Sequence, residues 1–215
     1  FDSVEMKQGL NFASAVAGYH RSMEAYASVE NMMWRRLDVE GHDSCRLTAR
    51  DGFRLEGTAV FRDAAGPAAL TYIVDCDRAW RCVGARVNGF VGVEHVDVVV
   101  ARSPDPAADG AWCVNGVAVA ATRHTVDVDL GFTPSTNVLQ LRRLALSVGD
   151  STDVDVAWLD VPRTGAPALA LLPQRYSRLD VARYDYHAPS VGYAAVLEVA
   201  PSGFITHYPG LWRAV

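Results

Sequence analysis

The sequence predicts a mainly β domain that closes on itself as a barrel, roll or sandwich, and three observations carry that prediction. From Met33 to the C-terminus, short runs rich in β-branched and aromatic residues are separated by turn formers at the regular spacing of all-β domains. These runs number roughly a dozen, and an open sheet of that size would leave long edges and an uncovered apolar face. Apolar residues are 50% of the 215 and charged residues 21%, a balance that buries a substantial core and excludes general disorder.

The chain begins with a different texture. Phe12, Val16, Tyr19, Met23 and Tyr26 recur at helical spacing, which predicts an amphipathic helix over about residues 11–28. Residues 1–31 are therefore set apart as an N-terminal extension or leader, and 32–215 as a single β domain. The start is acidic and lacks the apolar core of a signal peptide, and no run of roughly 18 apolar residues offers a membrane span. A cytoplasmic location is expected.

Asp51-Gly52 marks a hairpin between strands at 45–50 and 53–61. Ala64, Ala65, Gly66 and Pro67 turn the chain into a strand at 69–74. Further strands are expected at 80–87, 91–101 and 111–119, with an exposed loop over 104–110. The stretch from Thr125 to Leu146 reads as two strands about a turn. Val126, Val128 and Leu130 alternate with Thr125, Asp127 and Asp129, so two carboxylates share a face. Gly131, Pro134, Ser135, Thr136 and Asn137 then reverse the chain, and 138–146 returns as an apolar strand carrying Arg142 and Arg143. Folding this symmetrically sets Arg142 beside Asp129 as an ion pair. Strands at 154–161, 169–175, 182–186, 193–199 and 204–208 complete the chain, with Pro201-Ser202-Gly203 closing the last hairpin.

Charge excludes one class of partner. With 20 basic and 25 acidic residues the net charge is -5, and no basic run exceeds two residues, so nucleic acid is not an expected partner. There is no G-x-S-x-G elbow, P-loop or G-x-G-x-x-G, and no cofactor is expected. Residues 42–45, HDSC, hold residue types of a hydrolase but follow a glycine and read as a surface turn. His95 and Asp97 could share a strand face, yet no third ligand is indicated, so no metal site is expected. The four cysteines show no metal spacing and read as reduced core residues. Tyr176, Tyr184, Tyr186, Tyr193, Phe204, Tyr208 and Trp212 make the last third rich in aromatics, which suit a sugar face or a cavity mouth as well as a strand.

Several motifs together carry a resemblance. WRRL at 34–37, LEGTAVF at 55–61, YIVDCDRAWRC at 72–82, W-x-x-N-G at 112–116, DVDLGFTPSTNVLQLRRL at 127–144, AWLDVP at 157–162 and the closing ITHYPGLW resemble the putative glycolipid-binding family of uncharacterised bacterial proteins. Gln140 stands where that family's motif usually has Pro, and Ser135 where Ala is common. The resemblance implies a spiral β-roll of a dozen or more strands wrapped around a helix, with a likeness to lipoprotein carriers that hold acyl chains. It also implies non-enzymatic binding of a lipid or glycolipid inside the roll, by a carrier or sensor, and brings no catalytic residues. The polar groups nearest such a ligand would be Asp127, Asp129, Thr133, Asn137, Arg142, Arg143, Tyr176, Tyr184 and Tyr186. Two alternatives stay open: an enzyme using the Asp127/Asp129 and Arg142/Arg143 cluster on a small or lipidic substrate, and a domain that binds another protein.

Overall fold

The computed structural model describes residues 29–161 and 168–215. The helix expected over 11–28 lies outside them. Eight strands form a first antiparallel meander: β1 (Val29–Arg36), β2 (Gly41–Ala49), β3 (Phe53–Asp63), β4 (Gly66–Cys76), β5 (Cys82–Val91), β6 (Glu94–Arg102), β7 (Trp112–Val114) and β8 (Val117–Val119). β9 (Asp127–Leu130) and helix α1 (Asn137–Leu144) follow. A second meander comprises β10 (Ser151–Asp160), β11 (Ala168–Arg178), β12 (Arg183–Ala188), β13 (Tyr193–Val199), β14 (Ile205–Tyr208) and β15 (Trp212–Ala214). β15 returns to pair with β1, Arg36 opposite Trp212, so both meanders belong to one 15-stranded sheet ending at β8 and β9.

The sheet curls into a roll around its own middle segment. Residues 132–141 are all buried, and both arms of the sheet reach them. The Tyr72 hydroxyl of β4 comes within 3.3 Å of Thr133 Oγ1 from one side, and Asn137 bonds Tyr176 of β11 from the other. Period-2 burial fixes the inner face: Asp43, Cys45 and Leu47 on β2, and Leu70, Tyr72 and Val74 on β4, point inward. Trp34 ties the arms where they meet, its buried indole N–H donating to the Ile205 carbonyl at 2.6 Å. The mainly β fold and the Asp51-Gly52 hairpin between β2 and β3 agree with the sequence reading, and the helix inside the roll agrees with what the family resemblance implied.

Four expectations need correction. Residues 138–146 do not form a strand, because α1 occupies Asn137–Leu144. A short apolar run with neighbours on every side has no periodicity that separates strand from helix, and Leu, Gln and Arg favour the helix. The last turn carries Arg142 and Arg143, cations that suit a helix C-terminus, and Ala145 ends it at φ 45° with its N–H on Leu141 O. Residues 111–119 are a hairpin rather than one strand. Asn115 and Gly116 both have positive φ, 49° and 84°, as a two-residue type I′ turn demands. HDSC is no surface turn: it lies on β2, with Asp43 1% exposed. The fourth correction is the partner of Arg142, described below. The sheet begins at Val29, inside the segment set apart as an extension. All four cysteines are buried and free.

Candidate functional site

β9 is the edge strand of the sheet, paired in parallel with β10, yet all four of its residues are buried. Its two carboxylates go to different places. At its start, Asp127 is fully buried and takes the Arg143 guanidinium from the last turn of α1, with Nε 3.0 Å from Oδ1 and a further contact from Nη2 to Oδ2. Burial raises the Asp127 carboxyl pKa, while the Arg143 contacts pull the other way. The expected pairing of Asp129 with Arg142 is replaced by this one, because a helix turns neighbouring side chains through 100° instead of alternating them. Arg142 instead donates to the Ser202 carbonyl at 3.0 Å and to Glu30 on β1 at 3.3 Å, with its guanidinium 5.6 Å from the Trp80 ring centre.

Asp129 anchors a polar network at the other end of β9. Thr136 donates to Oδ1 at 2.6 Å and the Gln174 amide to Oδ2 at 2.8 Å. Gln174 accepts from the Tyr176 hydroxyl, which accepts from Asn137 Nδ2 at 2.8 Å. Burial raises the Asp129 pKa against the bonds from Thr136 and Gln174. Thr133 folds the turn between strand and helix: its Oγ1 lies 2.9 Å from Ser135 Oγ and accepts from Ser135 N at 3.0 Å. Behind Thr133, Tyr72 donates to Asp43 Oδ1 at 2.8 Å, while Asp43 Oδ2 is buried with no hydrogen-bond partner among the described residues. Burial outweighs the Thr133 and Tyr72 hydroxyls and pushes the Asp43 carboxyl up to about 7.

A half-open cleft of about 320 Å³ lies over this turn. Asp129, Thr133 and Asn137 form its polar floor, and Trp158, Tyr186, Tyr193, Tyr208 and Trp212 are its aromatic walls. The tyrosines support one another edge to face, with Tyr186 and Tyr208 ring centres 5.8 Å apart. Tyr193 is pinned by its hydroxyl, which donates to Pro209 O at 2.6 Å. Gly131 leaves room for Trp158, since a Cβ there would fall 2.7 Å from the indole nitrogen. Gly131→Ala is expected to cost about 1–3 kcal/mol and to change the Trp158 environment, read as lowered Tm and shifted tryptophan fluorescence.

The structure therefore divides the residues singled out in the sequence. Asp129, Thr133, Asn137 and Tyr186 line the cleft, and Tyr176 holds Asn137 from behind it. Asp127 and Arg143 form an ion pair away from the cleft lining, and Arg142 and Tyr184 line a separate surface depression. Sequence reasoning missed Trp158 as a site residue. Its signal was indirect: a tryptophan paired opposite Asp129 across β9 and β10. Among the described residues no three His, Cys, Asp or Glu side chains are grouped to hold a metal ion, and no helix is long and apolar enough to cross a membrane.

Comparison with known proteins agrees with this architecture. A crystal structure of a DUF1089 family protein from Pseudomonas aeruginosa is 22% identical, with a TM-score of 0.67 over 100% of each chain, which shows a shared fold. No curated protein matches. The model of the putative glycolipid-binding family matches residues 31–214, a span that holds every strand of the roll except the start of β1, together with α1 and the cleft, and the chain belongs to that family.

Proposed function

We propose that the protein binds a glycolipid without chemical turnover, holding the sugar head in the cleft above the Asp129 to Asn137 turn. The observation that carries this reading is the lining itself: the polar residues Asp129, Thr133 and Asn137 beside the aromatic residues Trp158, Tyr186, Tyr193, Tyr208 and Trp212. Such a surface offers flat apolar rings to the C–H faces of a pyranose, with polar groups beside them. The volume, near the lower end of ligand pockets, suits one head group rather than a whole lipid. Residues 132–141 already fill the roll around the turn, so the acyl chain would leave through the mouth past Val191 and Leu211. Binding is favoured over catalysis because both Asp129 oxygens are already engaged by Thr136 and Gln174.

Titration with alkyl glycosides, free sugars and fatty acids, read by thermal shift and tryptophan fluorescence, tests the proposal. Alkyl glycosides should raise Tm more than either half alone, and Trp158→Ala should weaken that binding by about tenfold or more. Equal response to fatty acids in wild type and Trp158→Ala would contradict a sugar site in this cleft.

A further inference from the structure

Cys76 and Cys82 stand apart from the ligand cleft and carry a separate inference. They are the last residue of β4 and the first of β5, paired with each other just past a register shift that skips Val83. Their sulfurs are 3.5 Å apart. Opposite residues of an antiparallel pair have Cα atoms roughly 4.5–5.5 Å apart, within the range that a disulfide spans. The connecting loop is held by its own bonds, Asp77 N to Arg81 O at 2.9 Å and Asp77 Oδ1 to the N–H groups of Ala79 and Arg81. Trp80 at its tip stacks on Phe53 with ring centres 3.5 Å apart. The two cysteines therefore face each other across a closed hairpin.

Access is provided on one side. A cleft of about 420 Å³, bounded by Thr48, Gly52, Phe53 and Val83, counts Cys76 among its lining residues, and Cys76 is 5% exposed. That volume is ample for a molecule the size of a peroxide. We propose that Cys76 and Cys82 are an oxidation site at which a small peroxide entering this cleft converts the two thiols into a disulfide. The Cys76 sulfur attacks the peroxide, the O–O bond breaks, and Cys76 becomes a sulfenic acid as the alcohol or water leaves. The Cys82 sulfur then displaces the sulfenic oxygen as water, forming the S–S bond. Two thiols and one peroxide give one disulfide, one alcohol or water, and one further water. The hydrogen bond with Cys82 and burial, with the Asp127 and Asp77 carboxylates acting in the same direction, hold the Cys76 thiol far above its ordinary pKa, so the reaction is slow. Closure would staple the hairpin whose Trp80 lies under Arg142, beside the contacts that fix the end of α1.

The test is peroxide treatment of the folded protein, followed by denaturation, thiol counting and trypsin digestion without reductant. Trypsin cuts after Arg78 and Arg81, between the two cysteines, so a disulfide leaves peptide 63–78 joined to peptide 82–86. The expected result is that joined pair, with titratable thiols falling from four to two. Cys82→Ala should abolish the link, and the wild-type result stands whether or not that variant folds. Four thiols retained after exhaustive treatment, oxygen added to Cys76 without a link, or a link involving Cys45 or Cys113 would overturn the proposal.

Discussion

Arg143→Leu is expected to destabilise the protein by about 3–5 kcal/mol, because it leaves a buried carboxylate without its counter-ion. Asp127 is fully buried and Arg143 bonds both its oxygens, so no water replaces the lost guanidinium. The carboxyl would take up a proton instead, and the loss should grow with pH. Removing both partners tells this ion pair apart from simple packing: Asp127→Leu with Arg143→Leu should recover most of the stability, since apolar replacements of a buried pair are often neutral or better. Urea unfolding of the two variants measures the difference. Equal losses would mean that packing, not charge, holds α1 to β9.

Asp43 supplies the second large effect, with the opposite sense. Its folded pKa of about 7 exceeds the 3.8 of an unperturbed carboxyl. Its contribution is therefore fully present below pH 3.8 and is lost as pH rises through about 7. A difference of some three units corresponds to an upper figure on the order of 4 kcal/mol between acidic and alkaline solution. Asp43→Asn keeps an oxygen for Tyr72 and places a neutral amide where Oδ2 has no partner among the described residues. The variant should match wild type near pH 4 and exceed it increasingly toward pH 8. Asp127 and Asp129 also have raised pKa values, but they are common to both proteins, so the difference isolates Asp43.

What the sequence made legible follows from which signals are local. Alternation along Gly66–Cys76 and the Asp51-Gly52 turn depend on nearest neighbours, so β3 and β4 were readable. α1 was not, because burial of its first five residues, Asn137 to Leu141, erases the polar face that marks a surface helix. That single error carried the Arg142 pairing with it. The buried Asp43 was hidden for a related reason: its inward direction is set by the β2 to β3 register, and only the fold brings Tyr72 to it. In the site, Asp129, Thr133 and Asn137 were visible as unusual polar residues around one turn. Trp158, Tyr193, Tyr208 and Trp212 complete the cleft from strands that the chain returns tens of residues later, and no spacing rule links them.

The proposed role of the cleft over the Asp129 turn is to hold a glycolipid head group. Native mass spectrometry of protein purified without detergent tests it most directly, with wild type and Trp158→Ala prepared in parallel. Wild type should carry a bound species whose released mass contains both a sugar and an acyl chain, and Trp158→Ala should lose it. Ligand-free wild-type protein that also takes up no added glycolipid, or a bound lipid without sugar retained equally by both proteins, would contradict it.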